Sequence, residues 1–112
     1  MTANTPITKT IDTLVQKAKI AQLNFEKYNQ EQVNEVITAV AWAICNPLNN
    51  ELIAELSVSS TNLGKKEDKI IKNRRKTLGL LRDLQQAKSV GVIQEDKTTG
   101  IIEIAKPVGV VA

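Results

Sequence analysis

Histidine is absent from the 112 residues, which removes the commonest general base and metal ligand. Cysteine occurs once, at Cys45, so neither an internal disulfide nor a multi-cysteine zinc site can be built. Aromatic side chains are limited to Phe25, Tyr28 and Trp42, and any core must come from Ile, Leu, Val and Ala. No stretch approaches the ~18 apolar residues that a bilayer span requires. The polar opening, Met1 to Lys9, lacks the apolar run of a signal peptide. These absences set the expectation of a soluble, cytoplasmic chain with no membrane partner.

The composition that remains is that of an ordinary globular domain, 42% hydrophobic and 24% charged, which argues against disorder. The net charge of +3 is unevenly spread. Residues 65–88 hold nine Lys/Arg against three acids, residues 1–64 hold four against six, and residues 89–112 hold two against three. The basic surplus therefore belongs to one segment.

Residues 1–9, with Pro6 and several threonines, read as a flexible lead-in. Residues 10–88 read as a four-helix segment. Ile11, Leu14, Val15, Ala18, Ala21 and Phe25 recur at helical spacing and predict a first helix over about 10–28. Asn29 followed by Gln32 resembles a capping box. The second helix then carries Val33, Val36, Ile37, Val40, Ala41 and Ile44 on one face. Trp42 and Ile37, with Val40 and Ile44, are the expected centre of the helical core. Asn46-Pro47 ends that helix and starts a third, with Asn as N-cap and Pro at the first helical position. Leu48, Leu52, Leu56 and Ile53 form its stripe, which should fade through Ser57 to Asn62 before Gly64. The fourth helix is expected over 66–88, with Ile70, Ile71, Thr77, Leu78, Leu81 and Leu84 as its apolar line. Gly79 inside it predicts a close packing contact.

After Ser89 the period changes. Val90-Gly91-Val92-Ile93 and Ile101-Ile102-Glu103-Ile104 are β-branched runs around Asp96, Thr98, Thr99 and Gly100, and predict a β-hairpin over 89–106. Val108-Gly109-Val110-Val111-Ala112 begins a third apolar run with the look of a buried strand over 107–112. An apolar strand that stops there reads as a cut, because chain ends are ordinarily polar and frayed.

Residue by residue, the chemistry is sparse. Cys45 lies among Ala41, Trp42 and Ile44 and reads as a buried structural thiol rather than a nucleophile. Lys72-Asn73-Arg74-Arg75-Lys76 invites a nucleic-acid reading. Without interleaved aromatics, and on an amphipathic helix, a solvated basic face is the stronger one. Glu67-Asp68 are helical neighbours that do not face each other, Glu95-Asp96 is a solvated loop pair, and neither makes an acid/base dyad. The glycines fit neither a dinucleotide nor a P-loop spacing. No catalytic, cofactor-binding or metal-binding residue is assigned.

Several strings nevertheless match one family in order and spacing. Asn29-Gln30-Glu31-Gln32-Val33 is similar to the start of the second helix of CoA-acylating aldehyde dehydrogenases, including the N-terminal half of aldehyde-alcohol dehydrogenases. Glu67-Asp68-Lys69-Ile70-Ile71-Lys72-Asn73 resembles a helix motif of that family. Gly91-Val92-Ile93, Glu95-Asp96, Gly100 and Ile102-Glu103-Ile104-Ala105 resemble its hairpin. Lys106-Pro107-Val108-Gly109-Val110-Val111 resembles the lead into the first cofactor-domain strand.

The resemblance implies a mainly α fold with a β-hairpin, forming the N-terminal helices, hairpin and first strand of a truncated aldehyde-dehydrogenase-like α/β fold. It implies a parent enzyme that converts an aldehyde, CoA and NAD or NADP to an acyl-CoA through a catalytic cysteine. No position of this chain matches that family's nucleophile or cofactor contacts, so the chain alone should not be catalytic. The resemblance further assigns the hairpin to subunit contact, and the apolar run 108–111, as an open-edged strand, would pair with another chain, so a homo-oligomer joined through the hairpin and the C-terminal strand is expected. Two other readings stand beside it: a non-catalytic truncated remnant that acts only as a small oligomer, and a basic helical nucleic-acid module.

Overall fold

The computed structural model describes residues 6–111. Along these residues run α1 (Pro6–Phe25), α2 (Gln30–Cys45), α3 (Pro47–Thr61), α4 (Lys66–Leu84), β1 (Gly91–Asp96) and β2 (Ile101–Ala105). The mainly helical fold with one antiparallel hairpin is the one the sequence predicts. The chain divides into two compact units, one drawn from the segments up to Gln30 and from Lys88 onward, the other Glu31–Ala87.

The first unit contains α1 and the hairpin. Of the lead-in expected over 1–9, residues 1–5 lie outside the described residues. From Pro6 the chain is already helical, with proline at a first-turn position where its missing N–H costs nothing. At the end of α1, the ring of its last residue, Phe25, meets that of Tyr28 at 5.4 Å between centroids. Gln30 ties the approach to the hairpin. Its Oε1 accepts from the Ser89 N–H at 2.7 Å and the Val90 N–H at 3.2 Å, and its Nε2 donates to Ser89 Oγ at 3.0 Å.

In the hairpin, β1 and β2 pair from Gly91↔Ala105 to Asp96↔Ile101, with a bulge between Val92 and Gln94. The loop closes because Gly100 takes φ +71, a region that favours glycine, and its N–H donates to the Asp96 carbonyl at 2.8 Å. Past β2, the strand expected over 107–112 is not formed at residues 107–111, and residue 112 lies outside the described residues. The physical reason is that a strand exists only through a partner, and among the described residues β1 and β2 pair only with each other.

The second unit holds α2, α3 and α4. Asn46 caps α3 as its sequence position suggests, its Oδ1 accepting from the Leu48 N–H at 3.1 Å with Pro47 at the helix start. The helix does not fade at Ser57. Ser60 and Thr61 donate their hydroxyls to the carbonyls of Leu56 and Ser57 at 2.7 and 2.6 Å, a local bonding that holds these weak helix formers in the last turn. Asn62 then ends it in the left-handed region, its N–H donating to the Val58 carbonyl, and Gly64 follows at φ +78. Glu67 and Asp68 occupy the first turn of α4, where the helix dipole favours acids.

Burial corrects the expected core. Among the described residues Val33, Ala41 and Ala54 are the buried apolar ones, joined by Asn50. Trp42 is 63% exposed and Val40 is also exposed, while Ile37 and Ile44 are half-buried. The line of α2 that packs therefore runs through Val33, Ile37, Ala41 and Ile44, one turn apart, and Trp42 stands off it by about a quarter of a turn. Gly79 is not a close contact either, since an added Cβ would meet nothing within 4 Å.

Candidate functional site

The best-defined side-chain assembly is the seam between α3 and α4, and it is polar. Asn50, 3% exposed, donates from Nδ2 to the Ile70 carbonyl at 3.0 Å and accepts on Oδ1 from Asn73 Nδ2 at 3.0 Å. One turn away, Lys69 Nζ donates to Ser57 Oγ at 3.0 Å. At the start of α4, Lys66 Nζ bridges Glu51 Oε1 at 2.9 Å and Glu55 Oε2 at 3.1 Å. The hydrogen bond and the charge of Lys66 hold the Glu51 carboxyl below its ordinary pKa. The bonds to Glu51 and then Glu55 raise that of Lys66. These groups satisfy one another across two helices.

Helical periodicity registers apolar positions only, so Lys69, Asn73 and Ser57 stood out merely as members of local strings, and Asn50, Glu51, Glu55 and Lys66 did not stand out. The one available signal was Asn50 itself, a weak helix former inside α3 and one turn before Ala54, on the side of the helix away from the leucines.

The candidate residues disperse. Cys45 is half-buried rather than buried. It lines an open groove of 390 Å³ with Thr38, Trp42, Arg74 and Leu78 among its walls. The basic run fans around α4, because consecutive helical residues lie about 100° apart. Asn73 turns to α3, Arg74 to the Trp42 groove, and Lys72, Arg75 and Lys76 to an open hollow beside Asp68. Lys72, Arg75 and Lys76, at i, i+3 and i+4, thus share one exposed face of α4, while Asn73 and Arg74 leave the run.

Asp96 serves the hairpin loop. Thr99 Oγ1 donates to its Oδ2 at 2.7 Å, and the Thr98 N–H donates to its Oδ1 at 2.8 Å. The Thr99 hydroxyl first, then these backbone donors, hold its carboxyl below the ordinary aspartate value. Among the described residues no group of three His, Cys, Asp or Glu could hold a metal ion, and no helix is long and apolar enough to cross a membrane.

Comparison with known proteins supplies what the geometry does not. No family model matches the chain. It is similar to an acylating sulfoacetaldehyde dehydrogenase of Cupriavidus necator, 50% identical over 99 residues that cover 88% of this chain and 20% of that protein. An acetylating succinate-semialdehyde dehydrogenase of Clostridium kluyveri is 36% identical over 102 residues, 91% of this chain and 22% of that protein. A bifunctional aldehyde-alcohol dehydrogenase of Escherichia coli is 33% identical over 101 residues, 90% of this chain and 11% of that protein. These relatives share aldehyde dehydrogenase activity by name, and the acylating ones match at the higher identities. The chain belongs to the acylating aldehyde dehydrogenases, spanning 22% or less of the length of each of these relatives.

Proposed function

We propose that the chain is the N-terminal segment of a CoA-acylating, NAD(P)-dependent aldehyde dehydrogenase working in the cytoplasm. The reaction is aldehyde + CoA + NAD(P)+ to acyl-CoA + NAD(P)H + H+. The observation that carries this reading is the 50% identity to an acylating sulfoacetaldehyde dehydrogenase over 88% of the chain. An aldehyde with a small anionic group is the substrate class that this relative's name suggests.

The residues present do not fit a nicotinamide cofactor or a CoA thioester site. The seam residues are engaged with each other, and the glycines have no phosphate-cradling spacing. On this reading NAD(P), CoA and the reacting cysteine are handled by the rest of the enzyme, and this chain contributes scaffold. The hairpin and the run Val108–Val111 have open backbone edges, which favour pairing with another chain, so a homo-oligomer joined there is part of the proposal. An isolated two-stranded hairpin is marginal in water, which supports such pairing.

The test is a purified-protein assay with aldehyde, CoA and NAD(P)+, accompanied by sedimentation equilibrium at tens of micromolar. The reading expects no NAD(P)H above a buffer blank and a mass above that of one chain. Measurable turnover would contradict the scaffold role, and a single 12.3 kDa species would contradict the oligomer.

A further inference from the structure

Helix α3 is apolar on the side its described partner does not touch. Its contacts with α4 use Asn50, Ser57 and the glutamates that Lys66 reaches, and Ala54 on that side is fully buried. At 3.6 residues per turn, Leu48, Leu52 and Leu56 stand on the opposite face. They are 79%, 66% and 64% exposed. Leucines at i, i+4 and i+8 form the stripe a helix presents to a packing partner. A helix that buries one side and carries such a row on the other is built to be covered twice. The glutamates at the margin, Glu51 and Glu55, are drawn to Lys66, which leaves the row clear of charge.

What covers it is indicated by the length of the relatives. The Cupriavidus necator enzyme matches 88% of this chain with only 20% of its own residues, so roughly four-fifths of such a molecule is further polypeptide on the same chain. Covalent continuity gives that polypeptide a high effective concentration at any face of this segment. A second copy of the chain has no such tether and is the other outcome that the experiment below distinguishes.

We propose that the Leu48–Leu52–Leu56 row is a docking face for the catalytic remainder of an acylating aldehyde dehydrogenase chain, seated there through an apolar groove or helix face. The proposal rests on the function proposed above and deepens it by naming the surface through which the segment is held.

The experiment compares one substitution in two molecules. One is the 112-residue chain, and the other is a hybrid in which this chain replaces the matched segment of the Cupriavidus necator enzyme. Leu52→Asp should leave the helicity and thermal midpoint of the isolated chain unchanged, because Leu52 faces water there. In the hybrid the same change should lower the midpoint by several degrees and shorten the half-life of activity. Ala54→Asp, on the buried side, should destabilise both molecules. If Leu52→Asp leaves too little soluble hybrid, the milder Leu52→Ala reads the same difference. An active hybrid indifferent to both Leu52 changes overturns this proposal alone. Equal destabilisation of the isolated chain also overturns it, by placing the cover within this chain or in a second copy. A hybrid with wild-type Leu52 that folds but does not turn over overturns the family function, and this proposal with it.

Discussion

Asn73 donates to Asn50 across the α3–α4 seam at 3.0 Å, while Asn50 itself donates to the Ile70 carbonyl on the same helix as Asn73. One side chain thereby fixes both the spacing and the register of two helices. Asn50→Leu keeps the number and branching of the side-chain heavy atoms but leaves Asn73 without this acceptor in a half-buried position. The loss of stability should be about 1–3 kcal/mol, the range for a stranded buried polar group. Urea unfolding followed by circular dichroism measures it, and Asn50→Leu with Asn73→Leu together should lose less than the sum of the two single changes.

Gly79 lies inside α4 with open space where a Cβ would be. Gly79→Ala should therefore raise the stability of the isolated chain by about 1 kcal/mol, the helix-propensity difference. A midpoint shift to higher denaturant at unchanged slope is the expected result.

The Asp96 loop gives a pH dependence of defined sign. Its folded-state pKa is depressed, first by the Thr99 hydroxyl and then by backbone donors. The contribution of the ionised form is present above the unfolded value of about 3.9 and is lost as pH falls through the lower folded value. Amide resonances of Thr98 and Thr99 should titrate together with the Asp96 carboxyl, below that value. Asp96→Asn, which keeps an acceptor oxygen, should disturb the loop less than Asp96→Ala.

Cys45 is half-buried on an open groove, so a thiol reagent should label it in the native chain, more slowly than in denaturant. Trp42→Ala, which removes one wall of that groove, should speed the native reaction. Timed labelling followed by mass spectrometry checks both rates.

Local chemistry made much of this fold legible. Asn46-Pro47 carries its own capping donor and acceptor logic, and Asp96 with Gly100 defines a loop whatever surrounds it. Interactions between elements were not legible. Trp42 looked like a core residue because large aromatics usually are, but its placement depends on which side of α2 finds a partner. The polar seam of Asn50, Asn73, Lys66 and Lys69 leaves no mark in an apolar count. The strand expected at 107–112 requires a neighbouring strand that β1 and β2 do not provide. The family resemblance was available from the residues, because it rests on ordered local strings.

The central claim is that this chain is a working segment of an acylating aldehyde dehydrogenase. It is tested most directly by steady-state turnover of the hybrid enzyme, followed as CoA-dependent NAD(P)H formation from sulfoacetaldehyde. The account predicts that the hybrid folds and retains kcat within about tenfold of its parent, since a change of that size corresponds to only about 1.4 kcal/mol in the barrier. A soluble, folded hybrid with no CoA-dependent turnover would contradict it.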